Sequence, residues 1–424
     1  MRWIVVAAVL ALAPGVAQAA DPPDPGVTTS GTVTSNGSEF PFVLYTPASL
    51  PATADVPLVV VVHGAQTTAE QQMRSTRFNQ VAERERFVVL YPDVDAAGRA
   101  QPGPLRNGWK FLDPAGYTRG NGDAAAIAAM TRVAMEQRRI DPERVYLGGM
   151  SLGGIMASIE AAAYSDLYAA VAIVASAGYL DGPCFATGTG IPVETSAQSA
   201  FAAMGPRGRI VPRMVIGADK DLAFPASCSV KALEQGLRTS NLVLSGSQDA
   251  PLSLGPAASR LVPNPGGFGH TVSEFRDPDG CLVAERWIIH GMAHFWPGGT
   301  TDPKYKNFTD PRWPNAADGL WSFFSRYRKS DTALPCAEAP RPAAGPSAPA
   351  ICPTRRAVVT LPRGRRVRSV RATVAGRPAR AVRRGRKVTV TLRSGPKARV
   401  RVELRVRRAG RSRAQVVRRT IRRC

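Results

Sequence analysis

Three short segments of this chain carry the residue types that acyl transfer needs. The first is Gly149-Met150-Ser151-Leu152-Gly153, which follows the apolar run VYLGG and precedes the helix-like LGGIMASIEAAAYS. Glycines at both ends admit a tight strand-to-helix turn that presents the Ser151 hydroxyl, and Leu152, directly after it, offers a backbone N–H. A serine hydroxyl is a poor nucleophile at neutral pH, so it needs an imidazole to take its proton and a carboxylate to orient that imidazole. The chain has only 4 histidines. One of them, His294, lies past the run WIIHG in GMAHFWPGG, where Pro-Gly-Gly lets the backbone turn away. The acid comes from ADKDLAFP, behind the run MVIG. Asp221 is preferred because DLAFP fits a D-x-x-apolar-P arrangement, and Asp219, nearer the strand, is the alternative. A second N–H for a developing oxyanion is expected at Ala65, in VVVVHGAQTT. His63 is read as shaping that turn, and His290 as a packed neutral histidine.

Residues so far apart can meet only if the elements carrying them end on one edge. Short unbroken apolar runs recur at 58–64, 87–93, 145–149, 169–176, 214–217 and 287–291. Strands covered on both faces have this composition, and parallel sheets are where such strands occur. Helical segments such as GDAAAIAAMTRVAMEQRRI, 122–140, lie between them, so the expected fold class is α/β, a doubly wound and mostly parallel sheet. Sites in such sheets sit beyond the carboxyl ends of the strands. The order Ser, Asp, His along the chain is that of α/β-hydrolases. An antiparallel hairpin turning at Asn36-Gly37 is expected to open the fold.

The chain has 424 residues and a formal charge of +23, but the charge is not spread evenly. Residues 353–424 hold 26 Lys and Arg against a single acid, Glu403, which leaves a net −2 for everything before them. The high pI therefore says nothing about partners of the larger part. MRWIVVAAVLALAPGVAQA reads as a signal peptide cleaved after Ala19, so a secreted protein without a transmembrane segment is expected. Six cysteines in an exported chain suggest disulfides, with Cys184–Cys228 and Cys352–Cys424 the preferred pairs. The expected organisation is a catalytic domain over 20–336, a Pro/Ala-rich linker over 337–351 and an Arg-rich β module over 352–424. In that module Val388, Val390, Leu392 and Val400, Val402, Leu404, Val406 alternate with polar residues as in a small sandwich, with a disordered basic arm as the alternative. No phosphate loop, dinucleotide fingerprint or zinc cluster is recognisable, so no cofactor and no metal are expected.

The segments IDPERVYLGGMSLGGIMA, LVVVVHGAQTTAEQ and GMAHFWPGG resemble those of secreted short-chain polyhydroxyalkanoate (PHB) depolymerase-type esterases, relatives of feruloyl and acetyl xylan esterases. The resemblance spans roughly residues 30–330. It implies Ser151 as nucleophile, His294 as base, Asp221 as acid, and oxyanion N–H groups at Ala65 and Leu152. It also implies that Trp109, in NGWKF, lines the acyl groove, with Trp296 a further candidate for that wall; a core position for Trp109 is the alternative. Many members carry cysteine where this chain has Ala65 and Gly108, so a clamp on the groove is missing. The insert 241–275 is expected to contribute to a lid or rim.

The activity implied is ester hydrolysis through an acyl-enzyme, with a polyhydroxyalkanoate or its oligomers as substrate. Feruloyl or acetyl xylan ester hydrolysis is the alternative, and peptide cleavage is a third. A reading from another class is a non-catalytic envelope-binding protein on a hydrolase scaffold. The tail has no Phe, Trp or Tyr for stacking, so its expected partners are anionic envelope polymers or surfaces, bound through charge rather than as specific nucleic acid.

Overall fold

In the computed structural model the apolar runs become the centre of one ten-stranded sheet. The described residues are 24–330 except 52 and 313, and 355–422 except 363–365, 375–376, 393–398 and 410–413. The expected signal peptide, the linker and the Cys352–Cys424 pair lie outside them. The chain divides into two compact units at Pro342/Ala343.

In the first unit the order is β1 (Val27–Ser35), β2 (Ser38–Thr46), β3 (Val56–Val62), α1 (Ala69–Thr76), α2 (Phe78–Glu85), β4 (Val88–Pro92), α3 (Ala96–Arg99), α4 (Gly122–Gln137), β5 (Ile140–Met150) and α5 (Leu152–Ala163). Then come β6 (Ala170–Val174), α6 (Val193–Met204), β7 (Arg213–Ala218), α7 (Ala226–Ser245), β8 (Ala258–Val262), β9 (His270–Arg276), β10 (Leu282–Ile289), the two-residue β11 (Trp296–Pro297) and β12 (Thr309–Asp310), and α8 (Ala316–Phe324). The sheet order is β1-β2-β4-β3-β5-β6-β7-β10-β9-β8. From β4 to β10 all neighbours are parallel. The opening hairpin forms as expected, its turn at Asn36 and Gly37, both with positive φ.

The central strands alternate between two cores, which is why they read as continuous apolar runs. Leu58, Val60 and Val62 pack with Ile127, Met130 and Ile155 of α4 and α5. Val59 and Val61 face Met73, Phe78 and Phe324 of α1, α2 and α8. Helices thus cover both faces, and the α/β expectation holds. Between β3 and its two neighbours the winding reverses: β4 pairs on one side and β5 on the other. A crevice opens at that switch point, above the strand ends.

The insert 241–275 departs from its expected place. Its first residues extend α7; β9 then pairs antiparallel with β10, and β8 antiparallel with β9 as the outermost strand. It extends the sheet at this edge and supplies no residue to the cavity described below. Exposed edge strands without a buried face to impose strict alternation, such as ASRLV, carry too weak a pattern to be read as strands.

In the second unit, β13 (Arg355–Thr360), β14 (Val367–Val374), β15 (Arg377–Ala379), β16 (Ala381–Arg384), β17 (Lys387–Leu392), β18 (Arg399–Arg408) and β19 (Gln415–Arg422) form antiparallel sheets ordered β13-β17-β16 and β15-β14-β18-β19. Val388, Val390, Val402, Leu404 and Val406 are buried in one shared core, the face that the period-two valines predict. Arg371, Arg405 and Arg407 point the other way and are exposed. Glu403 lies between Arg405 and Arg418, at 3.2 and 2.9 Å. Among the described residues no helix is long and apolar enough to cross a membrane.

Candidate active site

Ser151 sits between β5 and α5 with φ 56° and ψ −123°. That region is costly for a residue with a side chain, of order 1–3 kcal/mol, and persists only where the surroundings enforce it. Here two glycines do so. A Cβ on Gly149 would come within 2.2 Å of the Gly153 carbonyl oxygen, and one on Gly153 within 2.2 Å of the Val62 carbonyl oxygen. The turn can therefore lie hard against β3. Its backbone is tied down by the Ser151 N–H to the Val174 carbonyl, 3.0 Å, and by Ser176 Oγ, which donates to the Ser151 carbonyl. Ser176 is a support that no local motif announces.

β7 and β10 are parallel neighbours, so the loops at their ends emerge side by side. Asp221 comes from the first and His294 from the second, and Asp221 Oδ2 lies 2.8 Å from His294 Nδ1. The Asp221 side chain is fully buried, and its Oδ1 accepts the Ala223 and Phe224 N–H groups at 2.9 and 2.8 Å. These two bonds fix the carboxylate and aim its other oxygen at the imidazole. The ring of Phe224 lies 5.9 Å from that of His294.

Asp219, the alternative acid, belongs to a separate pair. Its Oδ1 accepts the Gly291 N–H at 2.7 Å and its Oδ2 lies 3.1 Å from His290 Nδ1. Burial raises the Asp219 carboxyl, but the Gly291 N–H and His290 outweigh it and hold it below the ordinary carboxylate range. His290 is not the packed histidine expected: its side chain is 41% exposed, and Nε2 meets Thr271 Oγ1 at 2.8 Å. It caps the end of β10, where the apolar run stops short of it.

Ser151 and His294 line one cavity of about 220 Å³ at the switch point, together with Gly64, Ala65 and Leu152. Among the described residues no hydrogen bond joins Ser151 Oγ to the imidazole; such contacts in hydrolases are long without substrate and tighten when it binds. The Ala65 and Leu152 N–H groups are not taken up by any carbonyl of the described backbone, and a helix's first N–H has no partner within it. Both residues line the cavity beside Ser151, so these N–H groups are available to an acceptor oxygen there.

The loop bearing Ala65 is braced from below. His63 is fully buried, with Nδ1 2.7 Å from the Gly64 carbonyl and Nε2 3.3 Å from Asp93 Oδ1, which agrees with its expected structural role. Burial raises the Asp93 carboxyl, and the nearby His63, the Val94 N–H that it accepts at 2.8 Å and Arg99 together more than offset this.

Trp109 is placed differently from the groove position that the resemblance implies. It has no exposure, its indole N–H donates to the His63 carbonyl at 2.9 Å, and it does not line the cavity. Trp296 does line it, buried to 1% exposure. The segment around Gly108 is held by this Trp109 bond, by the Lys110–Asp95 ion pair at 2.6 Å and by the Lys110 N–H to Asp123 at 2.7 Å.

Several lining residues escaped the sequence reading. Leu105, Phe111 and Phe185 form an apolar wall; Gln72 and Ser75 of α1 form a polar one beside Trp296. Phe185 is anchored by the neighbouring disulfide, Cys184–Cys228, with Cα atoms 5.9 Å apart. That pair is as expected.

The chain is similar to known esterases. Residues 40–222 match the family described as Esterase PHB depolymerase. Poly(3-hydroxyalkanoate) depolymerase C of Paucimonas lemoignei is 27% identical over 288 residues, 64% of this chain and 61% of that one. An acetylxylan esterase of Coprinopsis cinerea is 36% identical over 118 residues, 27% of this chain and 30% of that one. Feruloyl esterase B of Neurospora crassa is 29% identical over 219 residues, 47% of this chain and 70% of that one. The chain thus spans about three fifths of the first relative's length and under a third of the second's. The resemblance carried by the three sequence segments is borne out.

Proposed function

From a chain related through residues 40–222 to the PHB depolymerase esterases, we propose a serine carboxylic-ester hydrolase. The observation that carries this is the Asp221–His294 pair, 2.8 Å apart, opening on the same cavity as a serine held in a strained elbow. Ser151 Oγ attacks the acyl carbon as His294 Nε2 takes its proton, and the new charge on the carbonyl oxygen is met by the Ala65 and Leu152 N–H groups. Asp221 keeps the proton on Nδ1 of His294, which leaves Nε2 free to accept. The alcohol leaves with the proton from His294; water then attacks the acyl-enzyme by the same route in reverse.

The substrate class favoured is the short-chain hydroxyacyl ester of a polyhydroxyalkanoate or its oligomers. The depolymerase relative supports it, since its alignment covers 64% of this chain, a larger share than the xylan and feruloyl esterases cover. Feruloyl and acetyl xylan esters come second, on the strength of the other relatives. Trp296 serves as part of the acyl wall. The protein works outside the cell after removal of residues 1–19, and its organisation is a catalytic domain, a linker and a β module. The exposed arginine face of that module binds anionic envelope polymers or surfaces, an attraction that weakens with salt.

Ser151→Ala tests the reading. Turnover of p-nitrophenyl butyrate falls at least about 10⁴-fold, while retention on an anionic polymer is unchanged; deletion of 353–424 has the opposite effect. Normal ester turnover by Ser151→Ala would leave only a binding role on a hydrolase scaffold.

A further inference from the structure

The end of β6 grips Ser151 from both sides, and one of the two grips reaches the oxyanion site. The Val174 carbonyl accepts the Ser151 N–H at 3.0 Å, and two residues on, Ser176 Oγ donates to the Ser151 carbonyl at 2.5 Å. A carbonyl can only accept, so the Ser176 hydroxyl is the donor. Ser176 has no exposure and does not line the cavity, so it does not touch a substrate there.

The chain is bent to bring that hydroxyl in. Ala175, between the two gripping residues, has φ 46°, a left-handed conformation that is costly for a residue with a side chain and persists where its surroundings impose it. Its N–H is held by the Ile216 carbonyl of β7 at 2.7 Å. On the other side, a Cβ on Gly154 would come within 2.5 Å of Ser176 Cβ and 2.7 Å of its Oγ. Gly154 therefore does for Ser176 what Gly149 and Gly153 do for Ser151: it leaves room for a close approach.

The Ser151 carbonyl and the Leu152 N–H belong to one peptide unit. Resonance through its C–N bond couples them, so a donor on the oxygen draws charge there and leaves the N–H more positive. The Gly154 and Ile155 N–H groups also reach this oxygen, at 2.9 and 3.2 Å, but these come with the first turn of α5, whereas the Ser176 hydroxyl is added from another strand. We propose that Ser176 is a positioning residue: its hydrogen bond polarises and orients the Ser151–Leu152 peptide and so strengthens the Leu152 N–H as a donor to the oxyanion. This rests on the esterase reading and deepens it, because a side chain that substrate never meets then contributes to transition-state stabilisation.

The test compares kcat/KM of the full chain on p-nitrophenyl butyrate and on its thionoester, in which sulfur, a weak acceptor, replaces the carbonyl oxygen. One oxyanion donor is worth about 10²–10³ in rate and a cooperative neighbour strengthens a hydrogen bond by roughly 10–30%, so Ser176→Ala lowers the oxygen-ester value about two- to eightfold with KM unchanged. The thionoester draws little on the N–H and loses less, so the oxygen-to-sulfur ratio falls. A merely structural loss that displaces Ser151 Oγ slows both esters alike and leaves the ratio where it was. The ratio is taken on a single preparation, so a partly unfolded fraction cancels. A wild-type ratio in Ser176→Ala overturns the positioning role alone. Should that variant give no soluble protein, Gly154→Ala, whose added methyl pushes Ser176 away, is read in the same way. Hydrolysis of either ester that survives Ser151→Ala overturns the esterase reading beneath it.

Discussion

Asp221→Asn separates the two candidate acids and tests the geometry in its finest detail. Asp221 Oδ1 accepts two backbone N–H groups, from Ala223 and Phe224, so an asparagine there must keep its carbonyl oxygen on that side. Its NH₂ then falls where Oδ2 stood, 2.8 Å from His294 Nδ1. A donor in that place demands the lone pair of Nδ1, puts the imidazole proton on Nε2 and leaves no acceptor for the Ser151 proton. The expected loss is about 10⁴-fold in kcat, or ~5.4 kcal/mol of transition-state stabilisation. KM changes little and the fold is retained, because both backbone bonds to the side chain survive. Initial rates on p-nitrophenyl butyrate, with a melting curve of each variant, measure this. Asp219→Asn, which touches only His290 and Gly291, is expected to lose less than tenfold. A loss under tenfold for Asp221→Asn, or the larger loss for Asp219→Asn, refutes the assignment.

Two other substitutions have defined outcomes. Glu160 is fully buried and burial holds its carboxyl far above the ordinary range, so between its unfolded and folded values the native state binds the extra proton. Stability therefore falls as pH rises through that window, by up to ~1.4 kcal/mol per pH unit, and Glu160→Gln should flatten the slope in urea titrations at pH 5 and pH 8. An unchanged slope would exclude Glu160 as its source. Trp109→Phe removes the bond to the His63 carbonyl and some core volume, and should cost ~1–3 kcal/mol of stability with the rate loss in kcat through the oxyanion loop. A raised KM with stability intact would return Trp109 to the groove.

The parts of the site that were legible in the sequence are those set by local rules. A serine flanked by glycines between an apolar strand and a helix needs only neighbouring residues to define its turn. His294 stands past its strand, followed by residues that turn the chain, and that too is local. The choice of Asp221 over Asp219 drew on a motif, but the deciding contact spans 73 residues. Trp109 shows the limit: a tryptophan close to the site in sequence can face the groove or the core, and the His63 carbonyl, 46 residues away, decides. His290 misled because an apolar run suggests packing on both faces, whereas β10 ends at Ile289 and the ring leans out to Asp219. Gln72 and Ser75 did leave a trace, polar residues three apart on the buried face of α1 beside Ala69 and Met73, which reads as neither core nor solvent. The insert was opaque because added edge strands depend on the strand they pair with, β9 on β10 and β8 on β9, more than on their own composition.

Labelling with a fluorophosphonate followed by peptide mass spectrometry probes the covalent step itself. One phosphonyl adduct is expected, on Ser151, absent in Ser151→Ala and formed orders of magnitude more slowly in His294→Ala. An adduct on another residue, or labelling of Ser151 at the same rate without the imidazole, would contradict it.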